Sequence, residues 1–463
     1  MSTHAEPAPD EIAALLQVEH LLDQRWGETR IEPSLDRMRA LMDLLGEPQR
    51  NYPCVHVAGT NGKSSVTRIV DALLTAFGQR TGRTTSPHLQ AAVERIAVDN
   101  RAISPARYVE VYREIEPFVQ MVDAGSQSGG GPAMSKFEVV TAMAFAAFAD
   151  APVDIAVVEV GMGGRWDATN VVDAPVAVIT PIGLDHAGYL GDTVADVAAE
   201  KAGIIGSGDA EQVVIIGRQP PDAMGVLLAA AVRADAAVAR EGSEFAVRDR
   251  QIAVGGQVLE LQGLGGVYPE VFLPLHGEHQ AHNAAVALAA VEAFFGAGAQ
   301  RQLDAETVRQ GFAAVTSPGR LERMRSAPTV FIDAAHNPAG AAALASALTT
   351  EFDFRYLVGV VSVMADKDVT GILAALESVL DVVVVTDNGS PRALDVESLA
   401  SIAEEVFGGA DRVVRARTLP DAIETATALV EQECEDYSGA GIVITGSVVT
   451  AGAARTLFGK DPR

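Results

Sequence analysis

The chain has 463 residues, 48% of them hydrophobic and 21% charged, the composition of a soluble globular protein of two or three domains. Its 61 acidic side chains outnumber 35 basic ones, and the formal charge of -26 argues against non-specific nucleic-acid binding and against an anionic membrane surface. Two cysteines, Cys54 and Cys434, exclude a disulfide framework. The polar start MSTHAEPAPDE is not expected to be a signal peptide, and no apolar run approaches the roughly 20 residues that span a bilayer. A cytoplasmic enzyme is expected; if its substrates are anionic, it must gather its few cations locally around them.

Residues 11–24 and 34–45 read as helices, the second with Ser34 at its cap and Gly46 beyond its end, and Ile31, Glu32 and Pro33 form the loop between them. Residues 53–58 read as a short buried strand. Gly59, Thr60, Asn61 and Gly62 cannot continue it, because two glycines and an asparagine favour a turn. A helix begins at Lys63, and its apolar Val66, Ile69, Val70, Leu73, Leu74 and Phe77 recur at three- and four-residue steps, so one stripe faces a core. Strand, glycine loop, lysine, hydroxyl and helix make a phosphate cradle. Backbone N–H groups at the helix start point at the anion, the helix dipole adds positive potential, and Lys63 reaches the outer phosphates. The pattern GxxxxGK[ST] is met only in part: Val57 holds the place of its first glycine, and Gly59 comes two positions later. The strand-to-helix context is what supports a P-loop.

Residues 80–89 lead into a loop containing Ser86, Pro87 and His88. A Gly/Ser-rich stretch, 125–132, reads as mobile and precedes a helix over 134–148. Residues 153–160 form a strand with almost no polar break, as a central parallel strand requires, with Glu159 at its end. Further strands are expected at 175–180, running into Asp185 and His186, and at 212–217. Helices are expected at 193–202, carrying Lys201, and at 280–295; residues 245–261 alternate around Gly255-Gly256 as a β-hairpin. Strands separated by helices predict an α/β domain with a parallel sheet. Near Thr316-Ser317-Pro318-Gly319 the pattern resets, and strands at 329–333, 356–361, 382–386 and 441–445 predict a second, smaller α/β domain.

In an open α/β sheet, ligands sit beyond the carboxyl ends of the strands, which brings the P-loop, Ser86, Glu159 and His186 to such positions. A hydroxyl, a carboxylate and an imidazole near phosphates are reasonable ligands for Mg²⁺. A carboxylate closing an eight-residue apolar strand needs a partner in any case.

The segments HVAGTNGK, TTSPHL, SKFEVVTAMAFAAF, VVEVGMGGRWDATN, ITPIGLDH, AAEKAGI, PGRLE and IDAAHNP occur in that order. Together they resemble the folylpolyglutamate synthase/dihydrofolate synthase family of the Mur ligase superfamily, from about residue 34 to the end. The resemblance implies a large P-loop-type ATPase domain with a parallel sheet, residues 1–316, binding ATP and pteroate. A smaller Rossmann-like glutamate-ligase domain would follow, residues 317–463. It implies ATP phosphates held by Thr60, Asn61, Gly62, Lys63 and Ser64, with Asn283, Arg320 and Asp333 at further ATP positions. Mg²⁺ would be held by Ser86, Glu159 and His186, and a second Mg²⁺ by Lys201 if that lysine is carbamylated, which the sequence leaves open. Ser135, Lys136, Phe137, Glu138, Trp166, Asp167 and Ala168 would line the pteroate pocket under the Ile31–Glu32–Pro33 loop. His336 and the Gly446-Ser447 turn would serve the glutamate side.

The implied reaction joins L-glutamate to dihydropteroate or to a folate's glutamate tail through an acyl phosphate, on a monomer with no nucleic-acid or membrane partner. Two departures stand out: Ser64 where the family commonly has Gly, leaving open whether Ser64 or Ser65 meets Mg·ATP, and Ala334 where Gly is frequent. A cell-wall Mur ligase would normally carry a UDP-binding domain of about 100 residues before its P-loop, against 58 residues before Gly59 here. A nucleotide-switched interaction protein is the other alternative.

Overall fold

The computed structural model describes residues 8–26, 32–185, 187–206, 211–298, 301–434 and 439–462. Within them the strands are β1 Cys54–Ala58, β2 Thr81–Thr84, β3 Ile96–Val98, β4 Arg101–Ala102, β5 Ile155–Glu159, β6 Val176–Ile179, β7 Val213–Ile216 and β8 Ala237–Arg240, in one sheet ordered β4-β3-β2-β5-β1-β6-β7-β8. Neighbours from β2 to β8 pair in parallel; β3 and β4 add an antiparallel edge. β1 and β5 are buried along their whole length, because helices cover both faces of a parallel sheet and leave no side for polar alternation. The connection from β1 runs past β5 to β2, and the connection from β5 runs back past β1 to β6, so the winding reverses at the adjacent pair β1 and β5 and opens a crevice beyond their carboxyl ends.

Three antiparallel strands, β9 Ala246–Ala253, β10 Gly256–Gln262 and β11 Val267–Leu273, form a flanking sheet. The remaining strands are β12 Glu322–Ser326, β13 Thr329–Ile332, β14 Tyr356–Val361, β15 Val382–Val385, β16 Val413–Arg415 and β17 Ala440–Thr445. They build a second sheet ordered β12-β13-β17-β14-β15-β16, parallel except at β12. The architecture is thus a large α/β unit with a mainly parallel sheet followed by a smaller parallel α/β unit. No described helix is long and apolar enough to cross a membrane.

The structure departs from the sequence reading in several places, beginning with the strands β3, β4, β8, β12 and β16, which the sequence reading did not include. Residues 125–128 of the Gly/Ser-rich stretch are helical, closing a long helix, Pro105–Ser128, that buries Tyr108, Val111, Ile115 and Val119. Ser34 does not occupy the cap of its helix, which runs Asp36–Leu44 with Leu35 at the cap; the Ser34 hydroxyl accepts from the Asp36 amide just before it. The expected hairpin has a third strand, β11, whose Pro269 and preceding glycines hid it. Residues 81–84 form a fully buried inner strand rather than a lead into a loop.

That last strand is stabilised by charge. Arg83 donates to Asp71 at 2.8 Å and to Asn100 at 2.8 Å, and the Arg83 and Asp71 side chains are only 1% and 0% exposed. Removing one partner of such a pair strands the other charge in the core. Asp71→Ala is therefore expected to cost about 3–5 kcal/mol, read as a lowered urea midpoint. An unchanged midpoint would mean that Arg83 finds another partner.

Candidate active site

The glycine loop after β1 is shaped by close packing. Gly59 has φ 149°, and a Cβ there would lie 1.8 Å from Thr180 Oγ1 at the end of β6, so no larger residue fits. Thr60 and Asn61 donate their amides to the Pro181 carbonyl at 3.0 and 3.2 Å, tying the loop to β6. Gly62 caps the helix Lys63–Ala76 at φ 89° with Asn283 Oδ1 directly over it. The helical ladder starts with the Val66 amide on the Gly62 carbonyl, so the N–H groups of residues 62–65 form the open end. Lys63 Nζ folds back to the Gly59 and Thr60 carbonyls at 3.1 and 3.3 Å.

Glu159, at the end of β5, is buried beside this loop. Ser64 donates its hydroxyl to Oε1 at 2.7 Å and the Ser86 amide donates to Oε2 at 3.3 Å. Burial pushes the Glu159 carboxyl up, and Lys63 and these two donors pull it down. Ser65 turns away, towards Ser317 and Gln280, so Ser64 is the hydroxyl that meets the carboxylate.

Lys201 lies on the other side of the loop, at the end of the helix Val194–Lys201. It is 4% exposed and donates to the Gly59 carbonyl at 2.7 Å. Burial, reinforced by Lys63, lowers its ammonium from the ordinary 10.5 to about 7, against the opposing pull of Asp185 and Asp167.

A cavity of about 720 Å³ lies between the two α/β units, and Ser86, whose amide donates to Glu159, is part of its lining. Its first wall carries Trp26, Phe137, Met162, Trp166 and Tyr189, flat apolar surfaces suited to an aromatic ring system; its second carries His336, Met364, Lys367 and Ser447. Among the described residues, four cations line it. Arg37 pairs with Glu138 at 3.0 Å, Lys367 with Asp185 at 2.8 Å and Arg392 with Asp366 at 2.9 Å, while Arg95 donates to the ring of His88 at 3.0 Å. Burial lowers His88 to about 3, so its ring is neutral and Nδ1 can accept. The two units meet at this cavity through Lys367–Asp185 and through Asn337, which donates to Asn61 at 3.0 Å.

Comparison with known proteins gives this arrangement a family. The description "Mur ligase middle domain" matches residues 125–291, and "Mur ligase, glutamate ligase domain" matches residues 319–448. The chain is 71% identical to the dihydrofolate synthase/folylpolyglutamate synthase of Mycobacterium tuberculosis, across all of this chain and 97% of that protein. It belongs to the folylpolyglutamate synthase/dihydrofolate synthase family. Its structure superposes on the M. tuberculosis folylpolyglutamate synthase complexed with ADP at a TM-score of 0.94, with 70% identity over 98% of this chain and 100% of that one. An Escherichia coli protein solved in complex with DHPP and ADP matches at 0.81, with 28% identity over 98% of this chain and 99% of that one. This member of the family is accordingly an ATP-dependent ligase.

The residues expected at the synthase's site are distributed unevenly. Glu32, Ser86, Ser135, Phe137, Glu138, Trp166, Asp167, Ala168 and His336 line the cavity. Ile31 and His186 lie outside the described residues. Pro33 is exposed and off the lining, and Lys136 points its ammonium to Asp23 at 2.5 Å, because that carboxylate sits on the adjoining helix Pro9–Asp23. Ser135 and Glu138 bond each other as the capping box of the helix Lys136–Asp150, and Glu138 also accepts from Arg37. Asp333 is buried and accepts the Leu321 and Ala335 amides, while Arg320 Nη1 donates to the Gly319 carbonyl. Asn283 donates to Gln280 at 3.0 Å. The cavity cations Arg37, Arg95, Lys367 and Arg392 were not singled out in the sequence, where nothing in their local spacing marks them.

Proposed function

We propose that the protein adds L-glutamate to dihydropteroate or to the glutamate tail of a tetrahydrofolate. In this reading residues 1–316 bind ATP and the pteroate, and residues 317–463 form the glutamate-ligase domain that completes the cavity. The observation that carries it is the junction of a phosphate loop, a buried carboxylate and an aromatic, cation-bearing cavity at one crevice. Lys63 and the open amides of residues 62–65 hold the ATP phosphates, with Thr60, Asn61, Asn283, Arg320 and Asp333 shaping the rest of the nucleotide site. The γ-phosphoryl group passes to the substrate carboxylate, giving an acyl phosphate and ADP. The glutamate amine attacks the acyl carbon, the C–O bond breaks, inorganic phosphate leaves and an amide remains. His336, Lys367 and Ser447 face the glutamate from the second domain. Positioning and charge neutralisation do most of the work, and a closed cavity keeps water from the acyl phosphate.

The Glu159 carboxylate with the Ser64 hydroxyl oxygen beside it fits Mg²⁺, which takes one or two carboxylates plus phosphate oxygens and keeps several waters. No cluster of three His, Cys, Asp or Glu side chains suited to a metal occurs among the described residues, and a phosphate-bridged ion needs none. Glu159, Ser64, Ser86 and His186 would hold the ion, and a carbamylated Lys201 a second one; Mg²⁺ supplies neutralisation of the phosphate charge. Glu159→Gln is expected to raise the Mg²⁺ concentration needed for half-maximal rate by about tenfold or more, since a neutral amide is a poorer ligand for a hard cation. An unchanged Mg²⁺ titration would make Glu159 structural.

We further infer a monomeric cytoplasmic enzyme acting on small molecules, in keeping with a net charge of -26 that disfavours nucleic acid and anionic membranes. The test offers purified protein ATP, Mg²⁺ and glutamate with dihydropteroate or tetrahydrofolate in turn, and reads ADP and product mass. ADP release that ignores both pteroate compounds would support a nucleotide switch, and rejection of both in favour of a UDP-linked acid would support a cell-wall ligase.

A further inference from the structure

One buried titratable side chain beside the cavity has no part in the chemistry above. His56 is the middle residue of β1 and is 0% exposed. Its Nε2 lies 2.9 Å from Thr169 Oγ1, and Nδ1 has no partner among the described residues. Thr169 Oγ1 is 2.5 Å from Asp167 Oδ1, which also accepts the Thr169 amide at 3.0 Å; Asp167 Oδ2 accepts the Met162 amide at 2.8 Å. Asp167 lines the cavity between Trp166 and Ala168. A single file of contacts therefore runs from the sheet, through one hydroxyl, to a carboxylate at the substrate wall.

Counting protons gives the file a direction. An ionised carboxylate only accepts, so the one Thr169 hydroxyl hydrogen goes to Asp167, and Thr169 Oγ1 must accept from His56 Nε2–H. A neutral His56 then leaves a bare lone pair at Nδ1. The reverse direction would need a proton on Asp167 and would leave an N–H orphaned in the core, the rarer and costlier defect. Burial drives His56 strongly to its neutral form and pushes the Asp167 carboxyl up, while the hydroxyl and amide donors at Asp167 oppose that rise.

We propose that His56 is a positioning residue for the pteroate substrate: from beneath the 161–170 loop it fixes the Thr169 hydroxyl on Asp167 and holds that carboxylate ready to accept from the N–H groups of the substrate's heterocycle. The proposal rests on the reading of the cavity as the pteroate site. Its charge-assisted contact is the kind whose orientation matters most, because a misplaced carboxylate loses its partner while staying desolvated.

The first measurement establishes dihydropteroate-dependent turnover in the unaltered protein; its absence overturns the functional reading and this proposal with it. With turnover in hand, His56→Leu is expected to raise KM for dihydropteroate about tenfold, with KM for ATP and kcat changed less than about twofold. His56→Gln, whose amide N–H can reach Thr169, is expected to stay within about threefold of the parent. Thr169→Val should match His56→Leu, and the double variant should be no worse than either, because both break one file. Equal losses towards ATP, additive losses in the double variant, or no rescue by Gln would overturn the positioning role. Nitrogen NMR of the unaltered protein, labelled at histidine, gives a readout that does not depend on any variant folding. It should show His56 as the Nε2–H tautomer, and an Nδ1–H tautomer would refute the proposal.

Discussion

Lys63→Ala is expected to leave a folded protein with at least about 10²–10³-fold lower kcat, the loss typical of removing one preorganised charge from a developing anion. The fold should survive because, among the described residues, Lys63 Nζ bonds to the Gly59 and Thr60 carbonyls alone, and Lys63 is not part of a core cluster. The loop keeps its other anchors: the Thr60 and Asn61 amides on Pro181, and the Thr60 hydroxyl on Gly183 at 3.0 Å. The substitution also removes the cation that helps to lower Lys201 and to hold the Glu159 carboxyl down. Residual activity should therefore peak at higher pH than in the parent. ADP formation at the parent's rate by a variant with an unaltered thermal midpoint would remove Lys63 from the phosphate site.

Lys201 carries the second large effect. Carbamylation begins with the neutral amine: the nitrogen attacks CO₂, an N–C bond forms, and the lost proton passes to water. With its ammonium lowered to about 7, Lys201 offers a substantial neutral fraction at neutral pH, where an ordinary lysine offers almost none. Activity at a fixed CO₂ concentration should rise with pH through about 7 and rise further when bicarbonate is added. Stability should move in the same direction. Between about 7 and the ordinary 10.5 the unfolded chain holds the Lys201 proton and the folded protein does not, so stability increases with pH across that window. Below about 7 the cost of burying the charge is fully present.

Lys201→Ala should be about 10²-fold less active and partly restored by acetate, which returns carboxylate oxygens to the space. Lys201→Arg keeps a positive charge but cannot be carbamylated, so it should be as weak as the Ala variant. Full activity in Lys201→Arg would make the residue a simple cation. Carbon NMR with labelled CO₂ would detect the carbamate directly, and no bound signal at saturating bicarbonate would exclude it.

The elements that make the phosphate site were legible in the chain because each is local. A nearly unbroken apolar run reports a strand buried on both faces, and a period of three to four residues reports the buried stripe of a helix, so β1, β5 and the helix Lys63–Ala76 could be read from the chain alone. The glycines could be read because only a residue without Cβ tolerates the Gly59 and Gly62 conformations. The order of quoted segments carried the family, and with it the ligase chemistry.

Tertiary structure decided what spacing does not encode. Residues 81–84 read as part of a lead into a loop, yet they form an inner strand, because Asp71 and Asn100 arrive from separate elements to satisfy Arg83. Ser64 and Ser65 are adjacent and chemically alike; the turn of the helix sends one to Glu159 and the other to Ser317. Arg37, Arg95, Lys367 and Arg392 come from distant segments and share a cavity only because two α/β units pack face to face. His56 belongs to the same class. On the chain it is a lone polar residue in an apolar strand, and its meaning comes from Thr169 and Asp167, more than a hundred residues away, folding over it. Local sequence sets backbone conformation and which face is apolar, but the partner of a buried polar group is whatever the packing brings within about 3 Å of it.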